Sequence, residues 1–264
     1  GFHHGILGGK ACAPLPVPWV GTYGSVMQLH AIGLSDVGRL RARNEDAYVI
    51  RTQDRIFAVA DGMGGHVAGH IASQLAVEAV TGARLPADHR QLPAALAPII
   101  TEAKRALLQH TAANPAHAGM GTTLTILAFA DEGAACGHIG DNRLYQLRGN
   151  ELRQVSRDHT WVQEEVDRGA LTLEEARDHP YSNALTRALG IAEDARSDTF
   201  KIDARAGDIF LLCSDGVTKM LDDEEIVSII RNTASIEDAS TRLIERANAE
   251  GGVDNSTVVL VTVS

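Results

Sequence analysis

Residues 122–155 read TTLTILAFA DEGAACGHIG DNRLYQLRGN ELRQV. Four short apolar or alternating runs, at 122–130, 134–139, 143–148 and 151–155, are separated by turns of only two or three residues. A parallel crossover needs a dozen residues or more, so these runs are expected to be antiparallel neighbours. Working outward, residues 28–34, 47–51 and 56–60 read as strands, being short, apolar and partly β-branched. Residues 67–83 follow as a helix, with Ala68, Ile71, Ala72, Leu75, Ala79 and Val80 on one face. A second helix is expected over 92–111, with Pro93 and Pro98 blurring its start.

Beyond the four strands, residues 160–189 read as helical and charged, with a Thr172-x-x-Glu175 capping box. Strands are expected at 199–202, 208–213 and 256–263. Two helices stand between the last two, opened by Asp222-x-x-Glu225 and Ser235-x-x-Asp238. Strands in bunches with helices in pairs imply an α+β fold, two antiparallel sheets packed face to face with helices on the outside. The expected organisation is an N-terminal extension over 1–26, rich in Gly and Pro, and one domain over 27–264 with an insertion at about 158–190. The extension would be an irregular arm, a divergent leader or a cloning remnant.

The 264 residues carry 24 Lys and Arg against 34 Asp and Glu, a formal net charge of −10. That balance argues against a nucleic-acid or anionic-membrane partner, both of which demand clustered positive charge. No apolar run approaches the ~20 residues of a membrane span. Cys12, Cys136 and Cys213 are too few and too scattered for a disulfide framework, so a reducing, cytoplasmic setting is expected.

The chemistry-bearing feature is where the carboxylates sit. Asp61 follows the run 56–60 and precedes Gly62-Met63-Gly64-Gly65; Asp215 follows 209–214 and precedes Gly216. Asp141 lies in Gly140-Asp141-Asn142-Arg143, Asp254 just before the last strand, and Asp46 at the end of Asn44-Glu45-Asp46. An Asp beside a Gly at a strand end is an ordinary turn residue. If these five ends converge, however, two bare charges ~4 Å apart repel by about 4 kcal/mol at an effective dielectric near 20. Either the aspartates are apart and bland, or they are together and hold a hard cation, and an all-oxygen donor set selects Mg²⁺ or Mn²⁺. Arg41, three to five residues before Asn44-Glu45-Asp46, is either a surface arginine with Arg39 and Arg43 or a bidentate phosphate ligand.

Rival phosphate chemistries fail on spacing. No cysteine has an arginine six positions later; Gly9-Lys10-Ala11 lacks the rest of a P-loop; the glycines after Asp61 do not fit a dinucleotide fingerprint; there is no His-Glu-x-x-His. His66 and His70 read as structural or surface residues.

In order along the chain stand Arg41-x-x-Asn44-Glu45-Asp46, Asp61-Gly62-Met63-Gly64-Gly65-His66, Gly121-Thr122-Thr123, Gly140-Asp141-Asn142-Arg143, Ser214-Asp215-Gly216 and Asp254-Asn255. Over residues 30–263 this set resembles the bacterial metal-dependent Ser/Thr protein phosphatases (type 2C, PPM). The resemblance implies an α-β-β-α sandwich with the metal site at one sheet edge. It implies two Mn²⁺ or Mg²⁺ ions and a third, weaker position. Asp61 would bridge the two ions, the Gly62 carbonyl would bind one, and Asp215 and Asp254 would hold one. Glu45 and Asp46 would act on the other, partly through water. Asp141 with Asp215 would form the third position, with Asn183 a further contact. Arg41 would hold the substrate phosphate, and residues 160–189 would be a flap.

Met63 stands where some relatives carry a His as candidate general acid, so leaving-group protonation is expected from metal-bound water instead. The implied function is hydrolysis of phosphoserine and phosphothreonine on proteins by a water activated between two metals, in a monomer that opposes a Hanks-type Ser/Thr kinase. The competing readings are a silent pseudophosphatase scaffold, and a phosphatase dedicated to an anti-anti-sigma-type regulator.

Overall fold

Residues Ile56–Met63 (β3) set the architecture. Phe57 and Val59 point into a buried cluster with Leu127, Phe129, Phe210, Val259 and Val261. The alternate residues Ile56, Ala58 and Ala60 join a different cluster with Ala72, Leu96 and Leu107. Because side chains alternate along a strand, two apolar rows require cover on both faces. The computed structural model describes residues 27–64, 68–191 and 196–264. The expected extension over 1–26, the start of the helix at 67, and Gly65 and His66 lie outside them.

One sheet runs in the order Leu29–Asp36 (β1), Ser256–Val263 (β11), Ile209–Cys213 (β10), Arg143–Arg148 (β7), Glu151–Gln154 (β8). The other runs Asp46–Arg51 (β2), β3, Leu124–Ala130 (β5), Gly133–Ile139 (β6), Asp198–Ile202 (β9), with Gly121–Thr122 (β4) paired to the end of β3. Every pairing is antiparallel. Helices Gly69–Thr81 (α1) and Leu92–Ala113 (α2) cover the second sheet. Asp215–Thr218 (α5), Asp223–Arg231 (α6) and Ile236–Ala249 (α7) cover the first. The α-β-β-α sandwich is therefore present, with three apolar layers.

Local signals account for the helix starts. The side chains of Asp222 and Ser235 accept from Glu225 N and Asp238 N, and Thr172–Glu175 forms the reciprocal capping box. Pro93 falls in the first turn of α2, where its missing N–H costs nothing, while Pro98 lies inside the helix.

Two expectations are corrected. The runs 134–139 and 143–148 are not hairpin partners: β6 and β7 belong to different sheets. Gly140, at φ +112°, turns the chain from one sheet to the other, and Asn142 Nδ2 anchors the crossing on Val59 O at 3.0 Å. Residues 160–189 are helical only at Trp161–Asp167 (α3) and Leu173–Arg177 (α4). Gly169, at φ +74°, stops the first, and backbone bridges Thr122–Leu189 and Thr160–Leu185 hold the remainder as loop.

Candidate metal centre

The rows of side chains facing the inter-sheet layer end in polar groups at one edge. Along β3 the row is Phe57, Val59, Asp61; along β10 and into its C-terminal end, Phe210, Leu212, Ser214; along β11, read back toward its start, Val261, Val259, Thr257. In β2 the row Ile50, Tyr48, Asp46 ends at the same edge, and Asp46 sits directly opposite Asp61 in the antiparallel register. Like charges placed cross-strand destabilise a sheet unless something compensates.

A cleft of about 780 Å³ opens there. Arg41, Glu45, Asp61, Gly62, Asp141, Asp215 and Asp254 line it, joined by Met63, Asn183 and Leu185. Asp46 stands behind this lining with its Oδ1 buried and unpartnered. His70 instead meets the Arg43 guanidinium at 3.1 Å, as a surface residue would.

The loops that carry these groups are tied down by hydrogen bonds. Thr123 Oγ1 accepts from Asp61 N at 2.9 Å, and Thr122 Oγ1 and Thr123 N donate to Asp61 O at 2.8 and 2.9 Å. Asn255 links the Arg41 loop to the sheet: its Nδ2 donates to Val37 O and Arg43 O, and its Oδ1 accepts from Glu45 N at 2.8 Å. At Gly62 a Cβ would fall 2.0 Å from Gly69 O and 2.7 Å from Glu45 O, so only glycine lets β3, α1 and the Glu45 loop approach so closely.

Asp46 is held by a directed chain. Ser214 Oγ accepts from Thr257 N at 3.0 Å, which leaves its own proton for Asp46 Oδ2 at 2.7 Å. Thr257 Oγ1 donates to the same oxygen at 2.6 Å and is 2.7 Å from Ser35 Oγ, which accepts from Asn44 Nδ2 at 2.7 Å. Every proton in the relay runs toward Asp46, an arrangement in which hydrogen bonds polarise one another.

Electrostatics shows the same convergence. Burial first, then the charges of Asp46, Asp215, Asp141 and Asp254, holds the Asp61 carboxyl well above the usual range. Burial pushes Asp46 up to about 7 against the pull of Thr257 and Ser214, with Asp215 and Asp254 raising it further. Asp141 rises to about 8, through burial and then Asp215 and Asp158. Asp215 is raised by burial, opposed by Lys219. Arg41 Nη2 donates to Asp254 Oδ2 at 2.8 Å.

Among the described residues no three His, Cys, Asp or Glu side chains are already closed round one point as a finished coordination shell. Arg41 and Lys219 instead stand against the carboxylates. The donor set nonetheless fits a hard divalent ion. It is all oxygen, its carboxylate charges are only partly compensated by Arg41 and Lys219, and Asp46 Oδ1 and Asp215 Oδ1 are buried with no hydrogen-bond partner.

Residues 39–252 match the sequence profile of the family described as "Protein phosphatase 2C". The chain belongs to that family. As a protein phosphatase 2C chain it is 41% identical over 229 residues to the serine/threonine protein phosphatase PstP of Mycobacterium tuberculosis, covering 87% of this chain and 44% of that one. It thus spans less than half the length of that relative. It is 37% identical over 242 residues to the serine/threonine phosphatase stp of Listeria welshimeri, covering 88% of this chain and 95% of that one. A crystal structure of the PstP catalytic domain in complex with two manganese ions superposes with a TM-score of 0.82 at 38% identity, over 90% of this chain and 99% of the other.

Ser35, Thr257 and Lys219 also belong to the site, though no motif named above contains them. For Thr257 the signal was available: it stands two and four residues before Val259 and Val261, on the strand's inner row. For Lys219 it was the i, i+4 spacing from Asp215.

Proposed function

We propose that this chain hydrolyses phosphoserine and phosphothreonine on proteins, using two Mn²⁺ or Mg²⁺ ions and a weaker third. Family membership and the manganese complex of the PstP domain support this reading. The observation that carries it is the pair of orphaned buried oxygens, Asp46 Oδ1 and Asp215 Oδ1, inside a cluster of mutually repelling carboxylates. Bound ions supply Lewis-acid polarisation of the phosphate and a lowered pKa for the attacking water.

In this proposal Asp61 and the Gly62 carbonyl, both lining the cleft, would hold metal. Asp215 and Asp254 hold one ion, and Glu45 and Asp46 the other. Asp141, with Asp215, serves the third position. Arg41, with a half-exposed side chain tethered to Asp254, turns its guanidinium to the phosphate. Asn183 and Leu185 bring residues 158–190 to the rim as a flap on a phosphatase domain over 27–264. Met63 lines the cleft and offers no proton, so it shapes the wall.

The proposal extends to a Ser/Thr kinase as opposing partner, to a monomer, and to the cytoplasm. Cys136 and Cys213 are free, buried thiols, and no helix among the described residues is long and apolar enough to cross a membrane. The deciding experiment measures phosphate release from a phosphothreonine peptide and from p-nitrophenyl phosphate with Mn²⁺, then after EDTA. Turnover with manganese that EDTA abolishes is expected; no turnover at any metal concentration would overturn the proposal and favour a scaffold.

A further inference from the structure

Lys219 follows the short helix α5 directly, four residues after Asp215, and its backbone N–H donates to Asp215 O at 2.8 Å. That spacing carries the ammonium back over the Asp215 carboxylate. Nζ makes an ion pair with Asp215 and lies 3.7 Å from Asp254 Oδ2, an oxygen that Arg41 Nη2 also contacts, at 2.8 Å. The Lys219 side chain is 27% exposed and its two partners 15% and 17%. It also lines the cleft itself. This is therefore no ordinary surface pair. One flexible cation bridges two carboxylates from separate segments, the pair to which the proposed function assigns a divalent ion.

We infer that Lys219 is a built-in counter-ion of the Asp215–Asp254 pair, which competes with the divalent ion there and sets a weaker metal affinity than the acidic cluster alone would have. The inference rests on the metal-dependent reading above. Without metal, the tethered ammonium relieves repulsion between Asp215, Asp254 and their neighbours. An entering ion must displace or repel it, because two cations cannot share the same oxygens without cost. Lysine suits this role better than arginine: its point charge sits on a long, freely rotating stem that can swing away.

The test compares wild type with Lys219→Gln and Lys219→Arg by calorimetric titration with MnCl₂ and by thermal melting in EDTA at low salt. Lys219→Gln is expected to bind Mn²⁺ roughly tenfold tighter, the scale of one charge–charge interaction at a partly exposed site. In EDTA it should melt about 2–4 °C lower. Lys219→Arg, which keeps the charge on a less easily displaced group, should melt near wild type and bind Mn²⁺ no more tightly than wild type. Wild type binding Mn²⁺ as tightly as Lys219→Gln would overturn the inference while leaving the metal reading intact. Absence of Mn²⁺ binding in all three proteins would overturn the metal reading and this inference with it. A merely structural lysine would lower the melting temperature and leave the affinity unmoved, which also counts against the inference.

Discussion

Replacing Thr257 by Val tests whether the hydroxyl relay aims Asp46. Valine keeps the shape of threonine and deletes one oxygen, so packing beside Val259 changes little. The deleted hydroxyl donates to Asp46 Oδ2 at 2.6 Å and is 2.7 Å from Ser35 Oγ. A hydrogen bond to a charged group contributes about 1.5–3 kcal/mol, and here Ser35 also loses its acceptor. The loss should therefore fall near the top of that range, about 3 kcal/mol, in metal-free protein. For a chain of this size that is a fall of roughly 6–12 °C in melting temperature. Ser214→Ala removes the other donor to the same oxygen, at 2.7 Å, and should cost about 2 kcal/mol. With Asp46 in the proposed metal set, each change also loosens the carboxylate, and loss of a group that orients a metal ligand typically weakens affinity by about 10–100-fold. Urea unfolding in EDTA gives the first quantity and manganese titration the second. Unchanged unfolding midpoints together with unchanged manganese affinity in both variants would refute the relay.

Four further outcomes follow from the structure. Asp61→Asn should abolish phosphatase activity; turnover of a phosphothreonine peptide at the wild-type rate would remove Asp61 from the metal set. Arg41→Ala should raise KM more than it lowers kcat if the guanidinium holds ground-state phosphate, and steady-state kinetics with an unchanged KM would contradict that. Gly62→Ala should destabilise by about 3 kcal/mol or more, because its Cβ meets backbone, whereas Gly69→Ala meets only the movable Glu45 carboxylate at 2.7 Å and should alter manganese affinity with little loss of stability; equal unfolding midpoints for the two would count against this. His138, fully buried, has its pKa lowered to about 3 by burial and then by His159. Because the unfolded imidazole takes a proton near pH 6.5 and the folded one does not, stability is lost as pH falls from 6.5 toward 3, by about 4–5 kcal/mol in all; His138→Gln should flatten that acid slope, and parallel slopes would refute it.

How much of this was legible in the chain depends on whether the deciding contact is local. Asp61 was legible because it ends an apolar run beside Gly62 and the same placement recurs at Asp215; the structure adds that Phe57, Val59 and Asp61 form one row. The caps at Asp222 and Ser235 were legible because a cap satisfies donors within three residues. The crossing at 140–142 was not. A turn of three residues suits a hairpin as well as a change of sheet, and the choice is made by Gly140 and by Asn142 reaching Val59 O, 83 residues away. Residues 160–189 misled for a related reason. Charged residues at helical spacing give the right periodicity, but Gly169 and Pro180 break it, and bridges to distant Thr122 and back to Thr160 hold the chain.

The same division runs through the cleft. Its carboxylates announce themselves as short motifs at strand ends, since each needs a turn beside it to reach the rim. The groups that aim and neutralise them leave only spacing signals, which do not name their partners. Ser35, Thr257 and Ser214 come from three strands or their ends, and no local pattern says that Ser214 and Thr257 both donate to one Asp46 oxygen while Ser35 donates to Thr257 Oγ1. That concentration of donors on Oδ2 gives the free oxygen its meaning. A buried carboxylate doubly satisfied on one side and bare on the other leaves room for a partner on the bare side, and with Asp61 opposite in the register, a cation fits that place as the proposed metal set requires.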